Sequence, residues 1–262
     1  MQRQIDWSRV IDFIAQRDVA LASSLVGVEP SQIEAVQAQF GIELPSAYVN
    51  FLRTMGEETG ILMPFGDTQV HAFSELIAEF PPDGYPPKRF FKVAFEASQY
   101  PVAVLDTYLD VTRSDGLDAP LVRFEIPLEN ERTELVEAPL SFAETVFYRM
   151  FWELDMIRRD FEATLVVQGL SPVDARATKD SAVTSLAELG FTMALPELVR
   201  VACLNRESSS LLISISDVNQ LVAFRLSGDT REAIDIGMRD VLASCPGAVV
   251  SRPPSRRSES EV

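Results

Sequence analysis

The stretch "GIELPSAYVNFLRTMG", residues 41–56, constrains the fold more than any other part of the chain, because it stops a helix, starts a second and stops again. Glycine just past a helix end enters the left-handed region without a Cβ clash. Proline suits a first helical turn, where its missing N–H has no partner to lose. The stretch therefore predicts one helix ending at Gly41, a second opening at Leu44-Pro45, and a stop at Gly56. Glu29-Pro30-Ser31 opens the first of the pair, and Ser31 with Glu34 can form a capping box. Ile33, Val36 and Phe40 give that helix its apolar stripe, and Tyr48, Phe51, Leu52 and Met55 give the second its own.

Around this pair the pattern reads as two α+β domains. Trp7, Val10, Ile11 and Ile14 predict an N-terminal amphipathic helix within residues 1–28, with Gly27 closing that region. After Gly56 come short runs: a strand at Ile61–Met63, a helix at Phe73–Phe80, a proline-rich loop at 81–87, and strands at Phe91–Phe95, Val102–Leu105 and Leu121–Ile126. Ser141 and Glu144 make a capping box before a strongly apolar closing helix. Two helices, mostly antiparallel strands and a closing helix over 29–154 make an α+β layer fold. Phe147, Met150, Leu154, Ile157 and Phe161 space as a heptad seam, read as a helix shared between two domains or, second, as a homodimer contact.

Beyond Gly169 a second α-β-β-β-α unit is expected over 155–250. Its helix opens at Ser171-Pro172 and ends at Gly190. Strands follow at Leu198–Leu204, Leu211–Ser216 and Leu221–Leu226, then a helix capped by Asp229. The tail "SRPPSRRSESEV", 251–262, is expected to be disordered.

Charge narrows the partner. The net charge is −16, and residues 29–154 hold 21 acids against 8 bases, a net of −13. Residues 155–250 hold 13 against 9. A nucleic acid is a poor partner for such a field, and a basic protein a better one. Acidity that only keeps the protein soluble is the bland alternative. No apolar run is long enough for a bilayer, and Met1-Gln2-Arg3-Gln4 leads into charge rather than an apolar leader, so the expected location is cytoplasmic. Cys203 and Cys245 are too few and too far apart for a disulfide scaffold or a metal site.

Little in the sequence asks for catalysis. His71 is the only histidine, no G-x-S-x-G elbow is present, and neither phosphate-binding glycine motif occurs. His71 reads as a packing or surface residue. Asp106, Asp110, Asp115 and Asp118 lack calcium-loop spacing. No catalytic residue, metal or cofactor is expected. Glu57-Glu58 follows a helix end, where the macrodipole disfavours carboxylates, so it is either a solvated turn or a contact.

The segment "VEPSQIEAVQAQFGIELPSAYVNFLRTMG" resembles the helical signature of the SUKH superfamily, the Smi/Knr-like domains, at Ile33, Glu34, Phe40, Gly41, Ile42, Leu44, Pro45, Tyr48, Phe51 and Leu52. "FFKVAFEASQYPVAVLD" looks like that family's central hairpin, "PLVRFEIPLE" its following strand, and "APLSFAETVFYRMF" its closing helix. Two departures are "MGEETG" after the second helix and Ser98-Gln99-Tyr100-Pro101 at the hairpin turn. The resemblance, over residues 29–154, implies binding rather than catalysis. Bacterial members look like immunity proteins that neutralise toxins, often nucleases or deaminases, and fungal relatives act as regulatory scaffolds. The expected contacts are Glu57, Glu58, Asp67, Glu96, Asp106 and Asp110 for steering, with Tyr100 as the anchor. A scaffold role with a separate C-terminal interaction domain is the second expectation, and a metal-dependent carboxylate hydrolase the third.

Overall fold

A computed structural model of the chain describes residues 5–66, 69–78, 89–96, 106–125 and 134–257, and across them the helical punctuation holds. Helices α1 (Trp7–Arg17) and α2 (Val19–Ser24) precede α3 (Pro30–Phe40) and α4 (Ser46–Met55). Gly41 takes φ 61° and donates its N–H to the Gln37 carbonyl, closing α3. The box at its start lies on Glu29 and Gln32 rather than Ser31 and Glu34. Pro30 occupies the first helical position, so the cap falls to Glu29, whose N–H donates to Gln32 Oε1 at 3.3 Å.

Pro45 stands just outside α4, and the first free N–H groups of that helix find carbonyls elsewhere. Ser46 N donates to Gly116 O at 3.1 Å and Ala47 N to Leu117 O at 2.8 Å. The same turn serves a second helix, α6 (Phe142–Phe151), because Asp118 accepts the Ala143 N–H at 3.2 and 3.3 Å. Asp115 Oδ1 holds the turn by accepting from Leu117 N and Asp118 N. Two acids without metal spacing thus fix two helix starts. The box read at the start of α6 is present, with Ser141 N donating to Glu144 Oε2 at 3.0 Å.

The chain divides into two units, Met1–Trp7 with Val19–Val146, and Ser8–Asp18 with Phe147–Val262. The division differs from the boundaries expected at 28/29 and 154/155: most of α1 groups with the C-terminal unit, and the break falls inside α6.

The first unit carries an antiparallel meander, β1 (Gln69–Val70), β2 (Phe90–Glu96), β3 (Thr107–Asp110), β4 (Pro120–Glu125) and β5 (Glu134–Ser141), with α5 (Phe73–Ala78) between β1 and β2. Its core is a ring cluster. Tyr48 lies 5.1 Å from Phe142 and 5.8 Å from Phe91, and Phe51 lies 5.4 Å from Phe142. Ile61–Met63 is a turn and not a strand: Leu62 points inward and donates its N–H to Thr59 O, with Ile61 and Met63 exposed on either side. Strand β5 is an addition to the sequence reading. The expected loop at 81–87 and strand at Val102–Leu105 lie outside the described residues.

The second unit is a six-stranded antiparallel sheet in the order β11-β6-β10-β9-β8-β7. Its elements are β6 (Phe161–Gln168), α7 (Pro172–Glu188), β7 (Thr192–Met193), β8 (Val201–Arg206), β9 (Ser209–Ser216), β10 (Leu221–Gly228), α8 (Arg231–Ser244) and β11 (Val249–Arg256). One sheet face packs a mostly aliphatic core with α7 and α8, including Leu165, Leu211, Ile213, Leu186 and Ile234 around Phe224. Ser171 caps α7 as read, but Thr230, not Asp229, caps α8 by accepting the Ala233 N–H. Asp229 instead pairs with Arg159 at 2.9 Å.

Two further readings are corrected. Helix α6 passes into a π turn at Trp152–Met156 and stops, and Phe161 opens β6. The heptad seam is therefore not one helix to Phe161, although the division into units falls inside α6, and Phe147, Met150 and Leu154 are buried. The tail is not wholly disordered: residues up to Arg256 form β11, antiparallel to β6. Its register shifts between Val250 and Arg252 and again before Ser255, which sets Pro253 and Pro254 in an irregular edge strand, where missing N–H groups are tolerated.

Candidate protein-binding face

The carboxylates expected to meet a partner have different fates in the first unit. Glu57 caps another helix: its Oε2 accepts from Ser74 Oγ at 2.8 Å and from Ser74 N at 3.3 Å, at the first turn of α5. The charge misplaced at the end of α4 is thus placed at the start of α5, where the dipole favours it. Asp106 pairs with Lys92 at 2.8 Å and accepts from Tyr108 at 3.1 Å.

Asp110 is 0 % exposed. Arg89 donates to both its oxygens from Nε, at 3.0 and 3.1 Å, and to Oδ2 from Nη2, and the Thr112 hydroxyl adds a third donor at 2.9 Å. Burial works to raise its pKa, but those donors outweigh it and hold the carboxyl below the usual range. Asp110 is therefore withdrawn from the expected contact surface, because its charge is spent on Arg89 inside the unit. Glu96 closes β2 opposite Gln69. Asp67 and Tyr100 lie outside the described residues.

Among the acids of the set whose side chains are described, Glu58 is the exposed one, and its backbone is pinned. Val26 N donates to Glu58 O at 3.0 Å and Glu58 N to Val26 O at 3.1 Å. This bridge ties the segment after α2 to the turn after α4. His71 fixes the next residue. The Thr59 hydroxyl donates to Leu62 O at 2.7 Å, so at 2.9 Å it accepts from His71, whose Nε2 carries the hydrogen. Burial lowers the His71 pKa, with Gln69 O and Glu75 pulling the other way. The one histidine is a post behind a turn, in keeping with the packing role read from the sequence.

What the turn displays is apolar. Val26, Ile61 and Met63 are 44, 60 and 39 % exposed. Val19, at the start of α2, is also exposed. No periodic pattern marks these residues, because they sit in turns and a short helix. The only signal in the sequence is the cost of leaving isoleucine and methionine in a turn beside two glutamates.

Among the described residues no three His, Cys, Asp or Glu side chains converge as metal ligands, and no helix is long and apolar enough to cross a membrane. No family model, no curated protein and no solved structure matches this chain.

Proposed function

We propose that the chain is a non-enzymatic, cytoplasmic binding protein of immunity type. Its SUKH-like first unit neutralises a basic toxin domain, of nuclease or deaminase kind, by covering the active face of that domain. The observation that carries this reading is the uneven charge. The first unit holds 21 acids against 8 bases, a net of −13, and the second 18 against 15, a net of −3. Solubility alone asks for no such division within one chain, whereas a potential of one sign on one unit steers a partner of the opposite sign.

The engagement of Glu57, Asp106 and Asp110 in capping and ion pairing, and of His71 in a turn, supports binding over acid–base chemistry. The helical pair, the antiparallel meander and the closing helix in the order the resemblance implies support the SUKH-like reading. The scaffold reading remains second, favoured by a six-stranded second unit with a fold of its own.

Affinity capture with the tagged full-length chain from its native cell, at about 0.05 M and about 0.5 M salt, tests it. A basic polypeptide held at low salt and released at high salt is expected. Capture of only neutral or acidic proteins, indifferent to salt, overturns it.

A further inference from the structure

The charge of the first unit says what kind of partner it takes but not where. Among the described residues, the first unit exposes five large apolar side chains, Val19, Val26, Ile61, Met63 and Val136. Four of these five lie on two short segments, 19–26 and 58–63, that are physically joined. The Val26–Glu58 bridge is one joint. Gly60 is the other: it sits at φ 62° against α2, so close that a Cβ there would fall 2.4 Å from Leu21 Cδ1.

The mount is stiff. Val28 N donates to Leu52 O at 2.8 Å and Phe73 N to Gly56 O at 2.9 Å, while Thr59 is held by His71. Exposed apolar side chains on a backbone already tied down add only their own rotamer entropy to the cost of binding, which suits a contact centre.

The chain on either side of these segments is acidic. Across residues 19–87 the sequence has nine acids and a single base, Arg53. Glu29, Glu58 and Glu75 are exposed near these segments in the chain, and Glu57 is half-exposed. A second copy of the same face would bring like charges together, and an anionic membrane would be repelled. A basic protein surface gains from both the apolar centre and the acidic surround.

We infer that the face built from Val26, Ile61 and Met63, with Glu58 beside them, is the docking site, and that its occupant is a basic protein surface with an apolar residue among its lysines and arginines. This rests on the binding reading above and adds a location to it.

The test places a photo-crosslinking residue at position 61 and, as a control, at Val218, an exposed position of the second unit, in the full-length chain inside its native cell. A basic polypeptide crosslinked from position 61 and not from 218 is expected. Ile61→Asp should weaken its capture at least about tenfold, and Glu58→Lys should slow association and flatten its salt dependence. Ile61 is exposed, so Ile61→Asp should unfold with the parent midpoint, and that measurement accompanies the capture. Capture of a basic partner that Ile61→Asp leaves intact overturns the face and spares the binding reading. Failure to capture any basic partner overturns both. Crosslinking of position 61 only to a second copy of the chain overturns the choice of occupant.

Discussion

The two units build their interiors from different side chains. The first gathers aromatic rings, Tyr48, Phe51, Phe91 and Phe142, buries Asp110 against Arg89, and leaves Glu29, Glu34, Glu43, Glu58 and Glu75 exposed. The second packs mostly aliphatic side chains on one face of its sheet, with Phe191 and Phe224 among them, and buries Asp155, Glu162 and Lys179. Asp155, 6 % exposed, accepts from Arg17 Nη2 at 2.6 Å, Arg159 Nε at 3.1 Å, Asn205 at 3.1 Å and Ser210. Glu162 is gripped by Arg257 at 2.6 Å and by Arg252. Burial raises the Cys203 thiol pKa, and the charge of Asp155 raises it further. Near-balanced charge in one unit and surplus in the other follow from the bases, 15 in the second unit against 8 in the first. In the second unit Asp155 and Glu162 each hold arginines from separate segments, whereas Glu29, Glu34, Glu43, Glu58 and Glu75 of the first face water.

The comparison can be broken at its strongest point first. Asp155→Ala leaves Arg17 and Arg159 without their shared carboxylate, and the expected loss is about 3–5 kcal/mol. Denaturant unfolding with hydrogen exchange should locate that loss in β8, β9 and β10. An even loss over both units would mean that Asp155 is not the centre of the second one.

A smaller effect of opposite sign is expected in the ring cluster. The Tyr48 hydroxyl is buried with no hydrogen-bond partner, and burial pushes its pKa well up. Tyr48→Phe should therefore stabilise the first unit by about 1 kcal/mol. A loss on this substitution would reveal a partner for the hydroxyl, such as a buried water.

How much of this was legible in the sequence depends on how far apart the partners lie. The starts and stops at Gly41, Ser141 and Ser171 were legible because a cap is settled within a few residues. The tail was misread because Pro253 and Pro254 argue against a strand, and only the position of β11 at a sheet edge makes them harmless. The apolar spacing through Phe161 fits a helix until the π turn ends it. The fates of the acids were hidden for a similar reason. Glu57 meets Ser74 and Asp110 meets Arg89 about twenty residues away, so a residue that looks like a free surface charge is occupied by the fold.

The finest distinction is one of pH, and it lies within the first unit. Burial pushes the Asp118 pKa up to about 6, opposed by Ser141 and the N–H groups of Ala119 and Ala143, with Glu144 adding to the rise. The folded state then holds more protons than the unfolded one between about pH 4 and 6, so this group adds stability as pH falls through that window. His71 acts the other way: its folded pKa is lowered, so its contribution is lost as pH falls below about 6.5. The two act in opposite directions as pH falls. Urea midpoints at pH 7, 6 and 5 should fall more steeply for Asp118→Asn than for the parent, and less steeply for His71→Gln. Parallel slopes for all three would remove both groups from the pH dependence.

The division of the chain has a consequence for its synthesis. Apart from Met1–Trp7, the first unit lies in sequence between two pieces of the second, since Ser8–Asp18 belongs with Phe147 onward. Arg17 leaves the ribosome 138 residues before Asp155, an interval on the order of ten seconds at ordinary elongation rates. During that wait the acidic unit is made whole and is free to fold, while α1 has no carboxylate to meet. A shortened chain that starts after Asp18 would therefore damage the half of the protein made last, by taking Arg17 from Asp155, and leave nearly all of the half made first in place.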